Sequence, residues 1–288
     1  MAPKTLRALL RAQRNEITEY HIYTRLARAT PDPHNRSVLE RIAQDEQAHY
    51  HFWQRYTRQE VAPNAWQVRW YVFIARVLGL TFGLKRMEQG EVQAQAVYEL
   101  IGREIPNARH ILQEEDRHEQ ELLAMISEER LKYVGSVVLG LNDALVELTG
   151  MLAGLTLALQ NTRLIGMTGL ITGVAASLSM AASEYLSTKS EQGETDPGRA
   201  ALYTGITYIF TVVALILPYL VVGNYLAALG LTLLNAVLII LFFSFYVSVV
   251  QDVPFRRRFL EMAGIGLGVA AVSFGIGYLV RQVFGVEV

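Results

Sequence analysis

The sequence predicts an all-α protein in two parts, a charged four-helix bundle followed by five membrane-spanning helices. Three observations predict it. The 288 residues balance 26 basic against 27 acidic side chains, yet residues 1–132 hold 37 of these charges and residues 133–288 only 16. All six histidines and all three tryptophans lie in the first part. Breakers at Thr30-Pro31-Asp32-Pro33, Pro63-Asn64 and Pro106 divide that part into four helical segments. The second part reads instead as apolar stretches, each close to the roughly 20 residues that a bilayer core requires.

In chain order, the first segment, residues 5–29, has a helical apolar pattern and ends at the Pro31/Pro33 breaker. The second covers 37 to about 60 and stops before Pro63. The third runs from 65 to about 104, with Gly79, Gly83 and Gly90 as kink positions, and the fourth from 107 to about 129. Four helices of this length suggest an antiparallel bundle over residues 1–130. Residues 66–84 are apolar enough to raise the question of a sixth span. Arg69, Arg76, Trp66 and Trp70 make that segment an interface-facing or bundle-packing helix instead.

From residue 131 onward the spans are expected at 133–159, 164–186, 200–222, 225–250 and 259–280, the third carrying Pro218. The first thirty residues are charged and hold no apolar signal-peptide core, which places the N-terminal part in the cytoplasm. Arg130, Lys132, Lys189, Arg199 and Arg256-Arg257-Arg258 then flank the spans on the cytoplasmic side, with only Arg163 and Arg281 opposite. Seven against two satisfies the positive-inside rule, and five spans put the C-terminus outside. Small residues at Gly150–Gly154, Gly166–Gly169–Gly173 and Gly264–Gly266–Gly268 permit close helix contact within a chain or across a dimer.

Several function classes are excluded. Without a single cysteine there are no disulfides, zinc knuckles, Cys-ligated clusters or thiol catalysis. A net charge of −1 with no basic tract argues against nucleic acid as a partner.

The chemistry lies in two sets of side chains. The second and fourth segments contain Asp45-Glu46-Gln47-Ala48-His49 and Glu114-Glu115-Asp116-Arg117-His118. In each, Glu and His are three residues apart, about 60° around a helix, so both can face one interior point. Glu16 on the first segment and Glu88 with Glu91 on the third add carboxylates. One Glu from each of two helices plus Glu-x-x-His from each of the other two is the ligand set of carboxylate-bridged di-iron or di-manganese bundles. Oxygen and imidazole donors suit Fe(II) and Mn(II). Tyr23, seven residues beyond Glu16, returns to the same face, while Glu19, His21, His34, His51 and His110 fit surface or outer positions. The second set is intramembrane: Asp143 and Glu147, one turn apart in the first span, and Glu184 near the end of the second. A carboxylate at membrane depth costs several kcal/mol unless paired, hydrated or metal-bound, which makes it a functional candidate. Asn142 and Met180 offer an amide oxygen and a thioether.

The series Glu16, Glu46-x-x-His49, Glu88-x-x-Glu91, Glu115-x-x-His118 resembles rubrerythrin and the wider ferritin-like superfamily. That resemblance implies a ferritin-like bundle with an Fe(II)/Fe(III) di-metal site; the rubredoxin-type iron site of rubrerythrins is missing, for want of cysteine. Residues 133–288 resemble the vacuolar iron transporter family of Fe(II)/Mn(II) carriers through Gly140-Leu141-Asn142-Asp143-Ala144-Leu145-Val146-Glu147 and Ser177-Leu178-Ser179-Met180-Ala181-Ala182-Ser183-Glu184-Tyr185-Leu186-Ser187. This implies a five-helix homodimer with Asp143 and Met180 lining the translocation path. Residues 187–199 are too short for the Glu-rich insert of plant members, with Glu191 and Glu194 as a remnant. The fused arrangement resembles prokaryotic proteins, which implies a multi-pass protein of the prokaryotic cytoplasmic membrane.

Together these point to a transporter exporting Fe(II), with Mn(II) as a second metal, out of the cytoplasm in exchange for protons. The metal set is Glu16, Glu46, His49, Glu88, Glu91, Glu115 and His118, and the pathway Asp143, Glu147, Met180 and Glu184. No residue is assigned a catalytic role, ferroxidase chemistry being at most a side activity. The alternative is a membrane-anchored di-iron ferroxidase or peroxide-consuming enzyme.

Overall fold

The computed structural model describes residues 3–87, 105, 108–124, 133–191 and 195–284. All regular structure among them is helical, and the chain divides into two compact units, Met1–Glu128 and Glu129–Val288.

In the first unit, α1 spans Pro3–Ala29, α2 Pro33–Thr57, α3 Ala65–Leu78 and α4 Ala108–Ala124. The α2 helix begins a turn earlier than the apolar pattern suggests. Asp32 accepts a hydrogen bond from the Asn35 amide and Pro33 occupies the first turn, where its missing N–H costs nothing. Arg36 ties this corner to the Thr30 carbonyl at 2.9 and 3.1 Å. Asn64 caps α3 by accepting from the Trp66 and Gln67 amides. The expected continuous third helix is broken at Gly79, whose φ of 101° lies where only glycine sits without strain. Helix resumes over residues 80–87.

The core of this unit is two apolar clusters. Ile22, Leu26, Leu39, Ile42, Val68 and Val72 form one; Leu9, Ala12, Trp53, Ala108 and Ile111 belong to the other. Each fully buried Leu or Ile contributes about 1.5–3 kcal/mol relative to exposure. Glu16 falls between the two clusters along α1, and Glu46 and His49 fall between them along α2. A polar layer therefore lies between two apolar ones, and Glu16 and Glu46 within it are cut off from water. Arg41 pairs with Glu121 across α2 and α4.

In the second unit, α5 spans Val134–Leu159, α6 Thr162–Ser190, α7 Pro197–Val221, α8 Tyr225–Gln251 and α9 Phe255–Phe284. Among the described residues these five are the helices long and apolar enough to cross a membrane. They coincide with the five expected spans and run past the apolar stretches at the ends bearing Lys189, Arg199 and Arg256–Arg258, where the polar flanks still favour helix. Asn161, Asp196 and Asn224 cap the starts of α6, α7 and α8. The outward faces are apolar, with Ile171, Leu178, Phe210, Val221 and Leu260 among the most exposed side chains.

The most buried span is α5. Its Gly154 backbone lies so close to α9 that a Cβ added to Gly277 would sit 2.0 Å from the Gly154 carbonyl oxygen. Gly150 and Gly154 thus let two backbones touch, as small residues four apart do between membrane helices. A Cβ added to Gly264 or Gly268 would meet nothing within 4 Å among the described residues. Hydroxyls stitch the spans where the core is driest: Thr204 to the Ser136 carbonyl at 3.0 Å, Ser177 to Gly205 at 3.1 Å, and Thr156 with the Tyr219 hydroxyl at 2.6 Å.

Candidate metal centre and intramembrane acids

In the first unit, α1 supplies Glu16, α2 supplies Glu46 and His49, and α4 supplies Glu115 and His118. Helical periodicity turns these side chains inward together; Glu16, Glu46, His49 and His118 are buried and Glu115 is half-buried. One ligand atom each from Glu16, Glu46, His49 and Glu115 lies within 4.8 Å of all the others. The Nδ1 of His49 is 3.0 Å from a Glu115 oxygen, 3.5 Å from Glu16 and 3.6 Å from Glu46. On the other side, Nδ1 of His118 is 3.3 Å from Glu46 and 3.8 Å from Glu115. Glu46 turns one oxygen to each histidine, and so does Glu115. The rings themselves are 5.9 Å apart. Two carboxylates therefore sit between two imidazoles, with Glu16 on the His49 side. Glu88 and Glu91 lie outside the described residues.

An outer layer fixes the imidazoles. His49 Nε2 meets Glu114 at 3.0 Å and His118 Nε2 meets Asp45 at 3.0 Å. Each acid that precedes the glutamate of one tetrad thus holds the histidine of the other. When Nε2–H donates outward, Nδ1 presents its lone pair inward, the tautomer a metal requires. Trp53 Nε1 donates to Glu16 Oε1 at 2.9 Å. Sequence reasoning assigned no role to Asp45, Glu114 or Trp53. The repeated Asp/Glu-Glu-x-x-His pentad was the available signal for the first two. His110 lies outside this layer, 3.1 Å from Glu114 and largely exposed, and His51 pairs with Gln54 at the surface. Tyr23 is buried in the apolar cluster of α1 to α3.

Charge in this layer is held tightly. Burial pushes the Glu16 carboxyl well above the carboxylate range, against the opposing hydrogen bond from His49. Burial would also raise Glu46, but the imidazoles of His118 and His49 close beside it outweigh this and hold the group down to about 2. Both histidines move up despite their burial: Glu115, Glu16 and Glu46 raise His49, and Glu115, Glu46 and Asp45 raise His118 to about 10. Protons are thus held on both imidazoles and favoured on Glu16, while Glu46 stays ionised. Among the described residues, buried Glu46 Oε2, His49 Nδ1, Glu115 Oε1 and His118 Nδ1 nonetheless lack a well-formed hydrogen bond, although most buried polar atoms have one. Converging oxygen and imidazole donors of this kind fit one or two divalent cations, which would displace those protons.

This arrangement sets the pH dependence of the metal-free unit. Stability from charged His118 is complete below its ordinary value of 6.5 and is lost as pH rises toward about 10. Loss of ionised Glu46 acts only at the acid end, as pH falls from 4.5 to about 2. With chelator present, amide protection in α2, taken relative to the intrinsic base-catalysed rate, is expected to fall steadily from pH 6.5 upward. Added Mn(II) should reverse that trend, since metal competes with protons for the same Nδ1 atoms. Protection that stays constant or rises with pH in chelator would contradict the assignment.

The second unit places its acids on two neighbouring spans. Asp143 lies on α5, half-buried in an open groove lined also by Gly135, Val138, Leu139, Asn142 and Val146. The buried Asn142 Oδ1 has no hydrogen-bond partner among the described residues. Glu147, one turn further along, is exposed on the face of its own chain and accepts a 2.6 Å hydrogen bond from the Tyr208 hydroxyl of α7. Glu184 on α6 accepts from Ser136 Oγ at 2.5 Å, close to the start of α5. Thr172 donates to the Met151 sulfur at 3.1 Å, which with the Ser136–Glu184 bond fixes an antiparallel register. In that register Met180 lies at the depth of residues 140–143. It is half-buried against the core. Sequence reasoning did not single out Tyr208 or Ser136.

Comparison with known proteins bears on this unit. The VIT family model matches residues 134–195, which include α5 and α6 with Asp143, Glu147, Met180 and Glu184. A protein of Arabidopsis thaliana described as vacuolar iron transporter homolog 4 is 24% identical over 169 residues, covering 52% of this chain and 85% of the relative.

Proposed function

We propose, taking the VIT family match over α5 and α6 as premise, that the protein is a membrane transporter that exports Fe(II) from the cytoplasm. Mn(II) is its second cargo, and protons move in the opposite direction. The observation that supports this most directly is the placement of Asp143 and Met180 at one depth within the matched spans, with Glu147 one turn further along. A span that served only as an anchor would need no acid there. Carboxylates exchange metal for protons because metal binds only their deprotonated form. The thioether of Met180 favours Fe(II) or Mn(II) over the harder Mg(II) and Ca(II). Glu147 and the groove beside Asp143 open on the outside of the single chain, which fits a homodimer that encloses them.

The first unit is the cytoplasmic receiver, a ferritin-like bundle of the rubrerythrin type. Glu16, Glu46, His49, Glu115 and His118, with Glu88 and Glu91, would hold its di-metal site. Bound iron would supply redox capacity there. That capacity also favours a second reading, a membrane-anchored di-iron ferroxidase or peroxide-consuming enzyme, because two carboxylates between two imidazoles suit a metal pair. Flux separates the two. Purified protein in liposomes is expected to move Fe(II) across the bilayer under a pH gradient, read by an enclosed iron-sensitive dye. Fe(II) oxidation without flux would select the enzyme.

Direction is tested separately. The positive-inside count puts residue 161 outside and residue 190 in the cytoplasm. Single cysteines at Asn161 and Ser190 of this cysteine-free chain should respond oppositely to an impermeant thiol reagent on intact cells. Asn161→Cys should label and Ser190→Cys should not; the reverse pattern would turn export into import.

A further inference from the structure

Among the described residues, one face of the α3 helix is left bare. Val68, Val72, Ile74 and Ala75 are buried, and the first two and Ala75 pack on Ile22 and Leu26 of α1. On the other side Trp66 is 68% exposed, Trp70 45%, Phe73 57% and Val77 57%. These four recur every three to four residues, so they form one ridge within about 60° of arc. The ridge is ordered: Trp66 stacks on Trp70 at 5.7 Å and Trp70 on Phe73 at 6.4 Å. Exposed Arg69 and Arg76 run along one flank, and α1 beside it presents exposed Arg25 and Arg28. Neither residues 65–78 nor residues 20–29 contain an acid.

We propose that this ridge docks the metal-binding unit onto a bilayer surface, with the aromatic side chains at the headgroup boundary and the arginines on anionic lipid headgroups. Two indoles, a phenyl ring and cationic flanks on a helix whose reverse face is already packed are the composition of an interfacial helix. Charge selects the occupant, since four arginines without an acid match an anionic leaflet. Covalent continuity supplies the surface. Only residues 125–133 separate α4 from the first membrane span, and a fully extended segment of that length reaches about 30 Å at most. The tether raises the effective concentration of the bilayer surface at the ridge, and the arginine contacts then decide the docked fraction. The inference rests on the membrane placement of α5 to α9 and is independent of what is transported.

The chain holds three tryptophans, and the spans hold none. Full-length protein is reconstituted in liposomes of equimolar phosphatidylcholine and phosphatidylglycerol, with the phosphatidylcholine brominated either near the headgroup end of its acyl chains or near their tails. Emission is expected to fall with the shallow bromines and much less with the deep ones, since interfacial helices sit about 5–10 Å into the boundary. The Trp66→Phe/Trp70→Phe variant leaves Trp53, buried beside Glu16, and its emission should be indifferent to bromine. Arg69→Glu/Arg76→Glu, or liposomes of phosphatidylcholine alone, should reduce the quenching, each arginine changing the docked-to-free ratio about fivefold. Parent emission unaffected by shallow bromines would overturn the proposal. So would quenching that is equal with and without anionic lipid. Disulfide cross-linking of Phe73→Cys between copies in unquenched liposomes would overturn it too, in favour of a second copy on the ridge.

Discussion

Changing Glu46 and Glu115 together to glutamine is expected to reduce metal binding by the full-length protein to background. The parent should take up about two Mn(II) or Fe(II) per chain, the capacity of a ligand set of this type. Both side chains stand between the two imidazoles, so each is placed to serve either metal, and their loss strips both positions at once. Removing a single outer hydrogen bond to a ligand costs about 10–100-fold in affinity. Removing two charged ligands should exceed that range and leave no saturable phase by calorimetry with Mn(II). Glutamine keeps the volume of each side chain, so helical content by circular dichroism should stay near that of the parent. Asp45→Asn and Glu114→Gln probe the layer behind. Each should weaken Mn(II) binding by about 10–100-fold while leaving all inner ligands in place. A double variant that titrates like the parent would remove the metal centre from this unit.

What the sequence revealed of this centre, and what it hid, follows from the range of each interaction. Glu46 with His49 and Glu115 with His118 are three residues apart, and a helix alone brings each pair onto one face. Their convergence with Glu16 needed only the expectation that such faces meet. The outer contacts cross between helices: Asp45 reaches His118 and Glu114 reaches His49, partners separated by 73 and 65 residues. No local pattern reveals such a pairing. The spans were legible because hydropathy is a property of short windows, and their ends were less so because caps such as Asp196 extend helix beyond the apolar stretch. The break at Gly79 shows the converse. A glycine inside an apolar helical pattern permits a kink or an end, and tertiary packing of α3 on α1 decides which. Tyr208 is 61 residues from Glu147, and its hydroxyl meets that carboxylate only once α5 and α7 are packed.

Asp143→Asn is expected to stop Fe(II) flux while leaving the metal centre of the first unit loaded. Asp143 lies half-buried within α5, a span that contains no Lys or Arg. The groove beside it holds Asn142, whose buried carbonyl oxygen has no partner among the described residues, so oxygen ligands are present and one of them is ionisable. Asparagine preserves size and polarity, and it retains a carbonyl oxygen able to touch a cation. What it removes is the negative charge that offsets a divalent ion at membrane depth and that accepts a proton when the ion leaves. Moving an uncompensated charge to the bilayer centre costs at least about 2.5–3.5 kcal/mol, a factor of roughly 100 in rate or more. Proteoliposome flux should therefore fall by at least that factor, together with the proton movement coupled to it. Met180→Ala lies at the same depth but removes a soft neutral donor, so its flux should fall about tenfold or less, with proton coupling retained. Glu147→Gln tests the neighbouring turn: Tyr208 still has an amide oxygen to donate to, so folding is kept and a loss of flux reports on charge alone. If Asp143→Asn moves Fe(II) at the parent rate, the spans are not the carrier. The chemistry then belongs to the first unit, and the anchored di-iron enzyme becomes the better account of the chain.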